Sequence, residues 1–330
     1  MKLSVEQAVD LLLNGEAVAV PTETVYGLAA VATIPAAIAR VFEIKNRPAD
    51  NPLICHFHSV EQVQQSVSQL PEPTRILMKR FSPGPVSFLL DLPEDSPLKF
   101  ATCGRDQVIV RIPDHPLFLS IIRKAGQPIA APSANTSGKI SATTAEMVED
   151  DLGSKIAGVV DGGTSKVGLE STILDARSNG EVFILRPGAI GEKEISEVLT
   201  GSKVGVVDPK KGTMIPGSRY RHYAPDVPVF LIDHLTQMEE EREAVLIMME
   251  EEVEKLTGGF KADLNRRQIQ LLSPGSVKDI DLVAKNFYKT FSAINHLPVS
   301  KAFFLRTDFG PSSLGKALQN RLEHIVSNNK

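Results

Sequence analysis

The sequence predicts an α/β protein: an open, mixed α/β sheet in a first domain, followed by a smaller Rossmann-like βα domain. Three observations carry this. Short apolar runs alternate with stretches of helical periodicity along the whole chain. Ser178-Asn179-Gly180 between two such runs is a hairpin signal, so parallel crossovers and at least one antiparallel pair are expected together. The character of the chain then changes between Gly201 and Asp226, where Gly, Pro and Lys replace apolar periodicity. The boundaries expected are 1–200 for the first domain, 201–226 for a linker and 227–330 for the second domain.

In order, Ser4 and Gln7 form a capping box and Gly15 a stop signal around a first helix. Ala17 to Val20 reads as a buried strand that ends at Pro21, followed by Thr22-Glu23-Thr24-Val25-Tyr26-Gly27-Leu28 and then a helix opened by Pro35. That helix must close near Arg47, because Pro48 restricts the residue before it. Strands are expected at Leu53 to Phe57, Val86 to Leu90, Val108 to Arg111, Ile129 to Ala131, Ala157 to Val160, Ser171 to Leu174 and Val182 to Leu185. Helices are expected at Ser59 to Val67, Pro73 to Phe81, Pro116 to Lys124, Thr144 to Leu152 and Glu192 to Leu199. In the second domain, strands are read at Val229 to Ile232, Gln268 to Leu272 and Lys301 to Arg306. Helices are read at Leu235 to Leu256 (long and acidic), Lys278 to Asn295 and Ser313 to Val326.

Composition narrows the function. The chain has 330 residues, 42% hydrophobic and 23% charged, with a formal net charge of −4, which is ordinary for a globular protein. Residues 1–226 hold 23 Lys+Arg against 26 Asp+Glu and the remainder 13 against 14, so neither half is basic. A strong direct nucleic-acid interaction is not expected. Two cysteines, Cys55 and Cys103, make neither a metal-type spacing nor a disulfide framework. With no signal-peptide pattern and no long apolar run, a cytoplasmic protein without a membrane segment is expected.

The familiar nucleotide signatures are missing: there is no G-x-x-x-x-G-K-[ST] and no G-x-G-x-x-G after a strand. Instead, four strand ends carry polar or cationic groups: Thr22/Thr24, Arg111, Ser133/Asn135 and Arg186. If their strands share a sheet, these groups converge on one edge, where open α/β folds bind ligands. Arg binds carboxylate or phosphate through its planar fork, whereas Lys45 serves phosphate as a point charge. No nucleophile–base pair stands out, and the pattern favours positioning and charge neutralisation over covalent catalysis.

The run Pro21 to Leu28, Lys45 to Asn51 with Pro52-Leu53-Ile54, Ser82-Pro83-Gly84-Pro85, Val110-Arg111-Ile112-Pro113, Ala131-Pro132-Ser133-Ala134-Asn135, Gly168-Leu169-Glu170-Ser171-Thr172, Arg186-Pro187-Gly188 and Arg219 to Pro225 resembles the threonylcarbamoyl-AMP synthases. The likeness is to the long, two-domain Sua5 form of the Sua5/YciO/YrdC family. It covers most of residues 1–225. The resemblance implies a YrdC-like open twisted sheet with a deep cleft and a Sua5-type second domain. It implies synthesis of L-threonylcarbamoyl-adenylate and pyrophosphate from L-threonine, bicarbonate and ATP, for the t6A modification of tRNA, with hand-over to the t6A transferase machinery.

By motif, Thr24, His56, Arg111, Ala131 and Ser171 would contact threonine. Arg47, Asn51, Ser133, Ser141, Arg186 and Tyr223 would contact ATP. Lys45, Arg47 and Arg111 would act in catalysis. Magnesium would be carried by ATP with no protein ligand, and residues 201–226 would serve as a lid over the cleft. Gln107 stands where the family commonly has a small hydroxyl residue. The rival readings are an RNA-binding module of the same fold, and a carbamoyl transferase of the hydrogenase-maturation type, which would carry cysteine clusters that this chain lacks.

Overall fold

The computed structural model describes residues 1–207 and 223–327. They form two compact units, one drawn from Met1–Ser137 and Ser141–Tyr220, the other from Gly138–Ile140 and Arg221–Lys330. Much of the segment expected to be a lid, and the motif residues 219–222, lie outside the described residues.

The first unit is built on a mixed nine-stranded sheet. Its strands are β1 (Val18–Val20), β2 (Gly27–Val31), β3 (Ile54–His56), β4 (Val86–Asp91), β5 (Gln107–Arg111), β6 (Ile129–Ala130), β7 (Thr172–Asp175), β8 (Glu181–Arg186) and β9 (Lys203–Val206), in the order β1-β2-β6-β3-β5-β4-β7-β8-β9. The β3–β5, β4–β7 and β8–β9 pairs are parallel and the rest antiparallel, including the β7–β8 hairpin expected from Ser178-Asn179-Gly180.

The helices of this unit are α1 (Val5–Leu13), α2 (Pro35–Lys45), α3 (Val60–Ser66), α4 (Glu72–Phe81), α5 (Pro116–Ala125), α6 (Ala145–Leu152) and α7 (Glu192–Val198). The α1 capping box forms as read, with the Ser4 hydroxyl accepting from Gln7 N at 3.2 Å and the Gln7 side chain accepting from Ser4 N at 2.9 Å. Pro35 opens α2, and Asn46, in the left-handed conformation at φ 49°, closes it.

Strand alternation sorts the side chains into layers. Cys55, Val110, Phe88 and Leu174 face a large core with Val41 of α2, Leu77 and Met78 of α4, Val148 of α6 and Ile195 of α7. On the other face, Val18, Val20, Ala29, Val31 and Ile129 pack against Ala8 and Leu12 of α1 and Phe118, Ile121 and Ile122 of α5. Farther along that second face, Ile54, Ile109, Leu89, Ile173 and Leu185 make a smaller cluster with no helical member. The sheet therefore presents a stretch of this face that α1 and α5 do not cover.

Several expectations are corrected. Gly27–Val31 is a strand antiparallel to β1, where only a turn leading to a helix was expected. Ala157 to Val160 is not a strand: Val159 makes isolated bridges to Lys2 and Ala19. Lys203–Val206, inside the expected linker, adds to the sheet beside β8.

The second unit holds a four-stranded parallel sheet of β10 (Val229–Ile232), β11 (Val245–Ile247), β12 (Gln270–Leu272) and β13 (Ala302–Leu305), in the order β10-β13-β11-β12. Helices α8 (Glu250–Lys255), α9 (Gly258–Arg266), α10 (Ile280–Ile294) and α11 (Ser313–Ser327) accompany it. The long acidic helix expected over Leu235 to Leu256 is instead a 3-10 turn at Leu235–Met238, then β11, then α8. The reason is local: Val245, Leu246 and Ile247 are all fully buried, which a one-sided acidic helix would not allow. Helix α9 was not foreseen.

Candidate functional site

The site grows from the turn after β1. The Thr22 hydroxyl donates to Val25 O at 2.6 Å and accepts from Thr24 N at 3.1 Å and Val25 N at 3.2 Å, which ties the chain into a tight hydroxyl-bonded turn. Ser165 Oγ donates to Thr22 O at 2.9 Å and Val167 N to Glu23 O at 2.7 Å. The turn is thus held from both sides and keeps Thr22, Glu23 and Thr24 buried.

Register brings the other parts to it. His56 on β3 and Ser87 on β4 are both Cα partners of Arg111 on β5, so the three side chains share one face in one row. That face is the one left uncovered by α1 and α5 beyond Phe118, whose ring lies 5.2 Å from the His56 ring. Arg111 is 4% exposed. Its Nε donates to Gly84 O at 3.2 Å, Nη1 to Thr24 Oγ1 at 2.8 Å and Nη2 to Glu23 Oε1 at 2.6 Å. Of its five N–H groups three are committed, which leaves one on each terminal nitrogen. Glu23 keeps its second carboxylate oxygen buried with no hydrogen-bond partner among the described residues. Burial foremost, and then the Arg111 charge, push His56 down to about 3, so its imidazole is neutral.

Next to this row, the Ser87 and Ser171 hydroxyls are 2.7 Å apart. Arg186, at the end of β8, donates from Nε and Nη2 to Ser171 O at 3.0 and 2.9 Å and from Nη2 to Ser171 Oγ at 3.1 Å. Ser141 Oγ donates to Glu170 Oε1 at 2.7 Å, and both residues are buried. Ala131 sits where β2 approaches closely: a Cβ on Gly27 would lie 3.0 Å from that of Ala131, so glycine permits the contact.

A second group forms at the end of α2. Lys45 is 1% exposed, and its ammonium donates to Ser133 O at 2.6 Å and to Asn135 O. Burial, aided by the Arg47 charge, pulls its pKa well below the ordinary lysine value, against the pull of Asp151. Arg47 donates from Nε to Asn51 O at 2.9 Å and from Nη2 to Asn51 Oδ1 and Pro52 O, both at 2.8 Å. Lys45 therefore braces the 133–135 loop, and Arg47 braces its own loop through Asn51.

The structure thus joins Thr24, His56, Arg111, Ser171 and Arg186 through hydrogen bonds and strand register. It ties Lys45 to Ser133 and Arg47 to Asn51, and sets Ser141 on Glu170. Tyr223 lies in the second unit, 6% exposed, stacked on Tyr288 with ring centroids 5.6 Å apart and with the Arg321 guanidinium 5.2 Å from its ring centre. Sequence reading gave no role to Glu23, Glu170 or Ser87. Glu23 and Glu170 carried a usable signal: each is a lone acid next to a hydroxyl residue beside a strand end, Glu23 between Thr22 and Thr24 and Glu170 between Leu169 and Ser171. Gln107, at the opposite end of β5 from Arg111, reaches Asp91 Oδ1 at 3.4 Å.

Among the described residues, no group of three or more His, Cys, Asp or Glu is placed to hold a metal ion, and no helix is long and apolar enough to cross a membrane.

Residues 10–188 match the Sua5_yciO_yrdC family model, described as "Telomere recombination", and residues 190–324 match the model described as "Threonylcarbamoyl-AMP synthase, C-terminal domain". The threonylcarbamoyl-AMP synthase of Bacillus subtilis is 38% identical, covering 96% of this chain and 91% of that protein. That of Pyrococcus abyssi is 36% identical, covering 96% and 92%. The crystal structure of P. abyssi Sua5 complexed with L-threonine superposes with a TM-score of 0.83 at 34% identity, over 98% of this chain and 94% of that one. The chain belongs to the Sua5/YciO/YrdC family, in the two-domain form that carries the threonylcarbamoyl-AMP synthase C-terminal domain.

Proposed function

We propose that this chain is an L-threonylcarbamoyl-adenylate synthase, a nucleotidyltransferase that converts L-threonine, bicarbonate and ATP into threonylcarbamoyl-AMP and pyrophosphate for the t6A modification of tRNA in the cytoplasm. The observation that carries the reading is Arg111: buried, fixed at three points, and holding one uncommitted N–H on each terminal nitrogen, in a chain whose full-length relatives bear that name. Two such donors in one plane suit a carboxylate. The P. abyssi relative was crystallised with L-threonine.

On this reading Thr24, His56, Arg111, Ala131 and Ser171 hold threonine in the row across β3, β5 and β4. Neutral His56 adds a polar edge without a second positive charge. Arg47, Asn51, Ser133, Ser141 and Arg186 hold the nucleotide, with Lys45 near its phosphates. Bicarbonate takes up a proton and loses water as it becomes CO2. The threonine ammonium gives up one proton to become the free amine, whose nitrogen bonds to the carbon of CO2 and gives up a second proton, forming a carbamate. A carbamate oxygen then bonds to the α-phosphorus of ATP as the bond to the bridging oxygen breaks, and pyrophosphate departs with that electron pair. Negative charge accumulates on the phosphoryl oxygens and the leaving group, where fixed Arg and Lys groups stabilise it best because they need not reorganise. A magnesium ion carried by ATP would neutralise part of the phosphate charge, with no protein ligand assigned to it among the described residues. The chemistry is assigned to residues 1–200, with 227–330 in a supporting role.

The test is pyrophosphate release. It is expected to require L-threonine and bicarbonate together, and to fall with L-serine by the tenfold or more that a methyl in an apolar niche is worth (about 1–3 kcal/mol). Equal release without an amino acid would refute the assignment, and salt-dependent RNA binding without release would replace it.

A further inference from the structure

We propose that Glu23 recognises the ammonium group of the amino-acid substrate, Oε2 accepting from the ammonium while Arg111 takes the carboxylate. The inference rests on the threonine site proposed above and adds a residue to it.

Glu23 is 3% exposed, and its two carboxylate oxygens are treated differently. Oε1 accepts from Arg111 Nη2 at 2.6 Å, whereas Oε2 is buried with no partner among the described residues. An ionised oxygen removed from water calls for a donor, above all a cationic one. The carboxylate has little freedom to seek that donor elsewhere. Its backbone carbonyl is fixed by Val167 N, and the hydroxyl of Thr22 locks the turn on either side of it.

Charge gives a second argument. Arg111 and Glu23 cancel, and buried His56 is neutral, so the row carries no net charge. His115, which also feels Glu23, is held below its ordinary value chiefly by burial and supplies no cation at neutral pH. A simple anion drawn to Arg111 would be repelled by Glu23, and a simple cation drawn to Glu23 would be repelled by Arg111. A zwitterion whose charges sit on neighbouring atoms satisfies both. An α-amino acid is such a molecule, with its carboxylate and ammonium joined through a single carbon. The two uncommitted N–H groups of Arg111 and the single open oxygen of Glu23 match that charge pattern.

The experiment compares L-threonine with 2,3-dihydroxybutyrate of matching configuration, in which a hydroxyl replaces the ammonium, by calorimetric titration of the full chain. The wild type is expected to prefer threonine by about ten- to a hundredfold, the worth of a hydrogen bond between charged groups. In Glu23→Gln that preference is expected to shrink to within about threefold. Threonine binding weakens, and the dihydroxy acid, an anion no longer repelled by Glu23, binds at least as well as before. If both ligands lose affinity equally in Glu23→Gln, Glu23 only steers Arg111 and the proposal is wrong. Equal binding of the two ligands by the wild type overturns it without any variant, should Glu23→Gln fail to fold. A wild type that binds neither, while ATP still binds, removes the threonine site itself. Threonine binding with an unchanged preference removes only Glu23.

Discussion

Arg111 and Glu23 form an ion pair with both side chains about 5% exposed, and such pairs are felt mainly when one partner is removed. Arg111→Lys retains the charge but loses the planar fork that meets Thr24, Glu23 and Gly84 together. Threonine affinity is expected to fall by roughly 1.5–3 kcal/mol in that variant, with a much smaller change for ATP; titration of each ligand separately checks this. Unchanged threonine binding would remove Arg111 from the site. His56 makes a pH prediction with a definite sign. Its folded pKa of about 3 lies below the ordinary 6.5, so below pH 6.5 the unfolded chain binds the extra proton and the folded chain does not. Stability therefore declines as pH falls from 6.5 towards 3, by about 1.4 kcal/mol per pH unit from this residue. His56→Gln is expected to flatten the denaturation midpoint between pH 6.5 and 5 by the equivalent of about 2 kcal/mol. An unaltered slope would mean that His56 is protonated in the fold.

At the scale of elements, the site depends on strands approaching closely as much as on side chains. Gly27 opens β2 and bridges Ser133, with no room for a Cβ short of 3.0 Å from Ala131. Gly27→Val is expected to push β2 off the 131–133 segment and cost about 1–3 kcal/mol, read as a lower denaturant midpoint at unchanged m-value. A neutral result would show that the two segments yield freely. This close approach was not legible: the run from Thr22 to Leu28 reads as a polar turn leading to a helix, and nothing in it shows the strand that Gly27 begins. Leu28-Ala29-Ala30-Val31 is small-residued and follows a polar turn, so nothing local separates it from the lead-in to a helix. The same ambiguity concealed β11, whose short apolar core lies between runs of glutamate. Helices α1, α3 and α6, capped by Ser4, Ser59 and Thr144, were read well because capping is written in adjacent residues, but α9, capped by Thr257, was missed. Glu23 shows the opposite limit. Its partner stands 88 positions away, and only the pairing of strands reveals that the acid is buried and half satisfied.

At the scale of the molecule, each unit has its own sheet and its own core, so two unfolding transitions are expected by calorimetry. A ligand that binds in the first unit stabilises that unit alone. Threonine at a hundred times its dissociation constant adds about 2.7 kcal/mol, enough to raise one transition by several degrees and leave the other in place. Equal displacement of both would mean that the units unfold as one. The second unit was legible as alternating strand and helix, and its order β10-β13-β11-β12 was not, since periodicity carries no information on which strands become neighbours.

The shortest strand of the large sheet, Ile129–Ala130, is the one that joins β2 to β3. A nascent chain leaving the ribosome makes β2 and β3 early, and they can pair with β1 and β5, but neither can meet β6 until some hundred further residues after β2 have been added, on the order of ten seconds at ordinary synthesis rates. Through that interval the open edge of β2 and the Thr22-Glu23-Thr24 turn of the candidate site wait together. A chaperone that guards exposed strand edges would find its window there, and it would close when these two residues arrive.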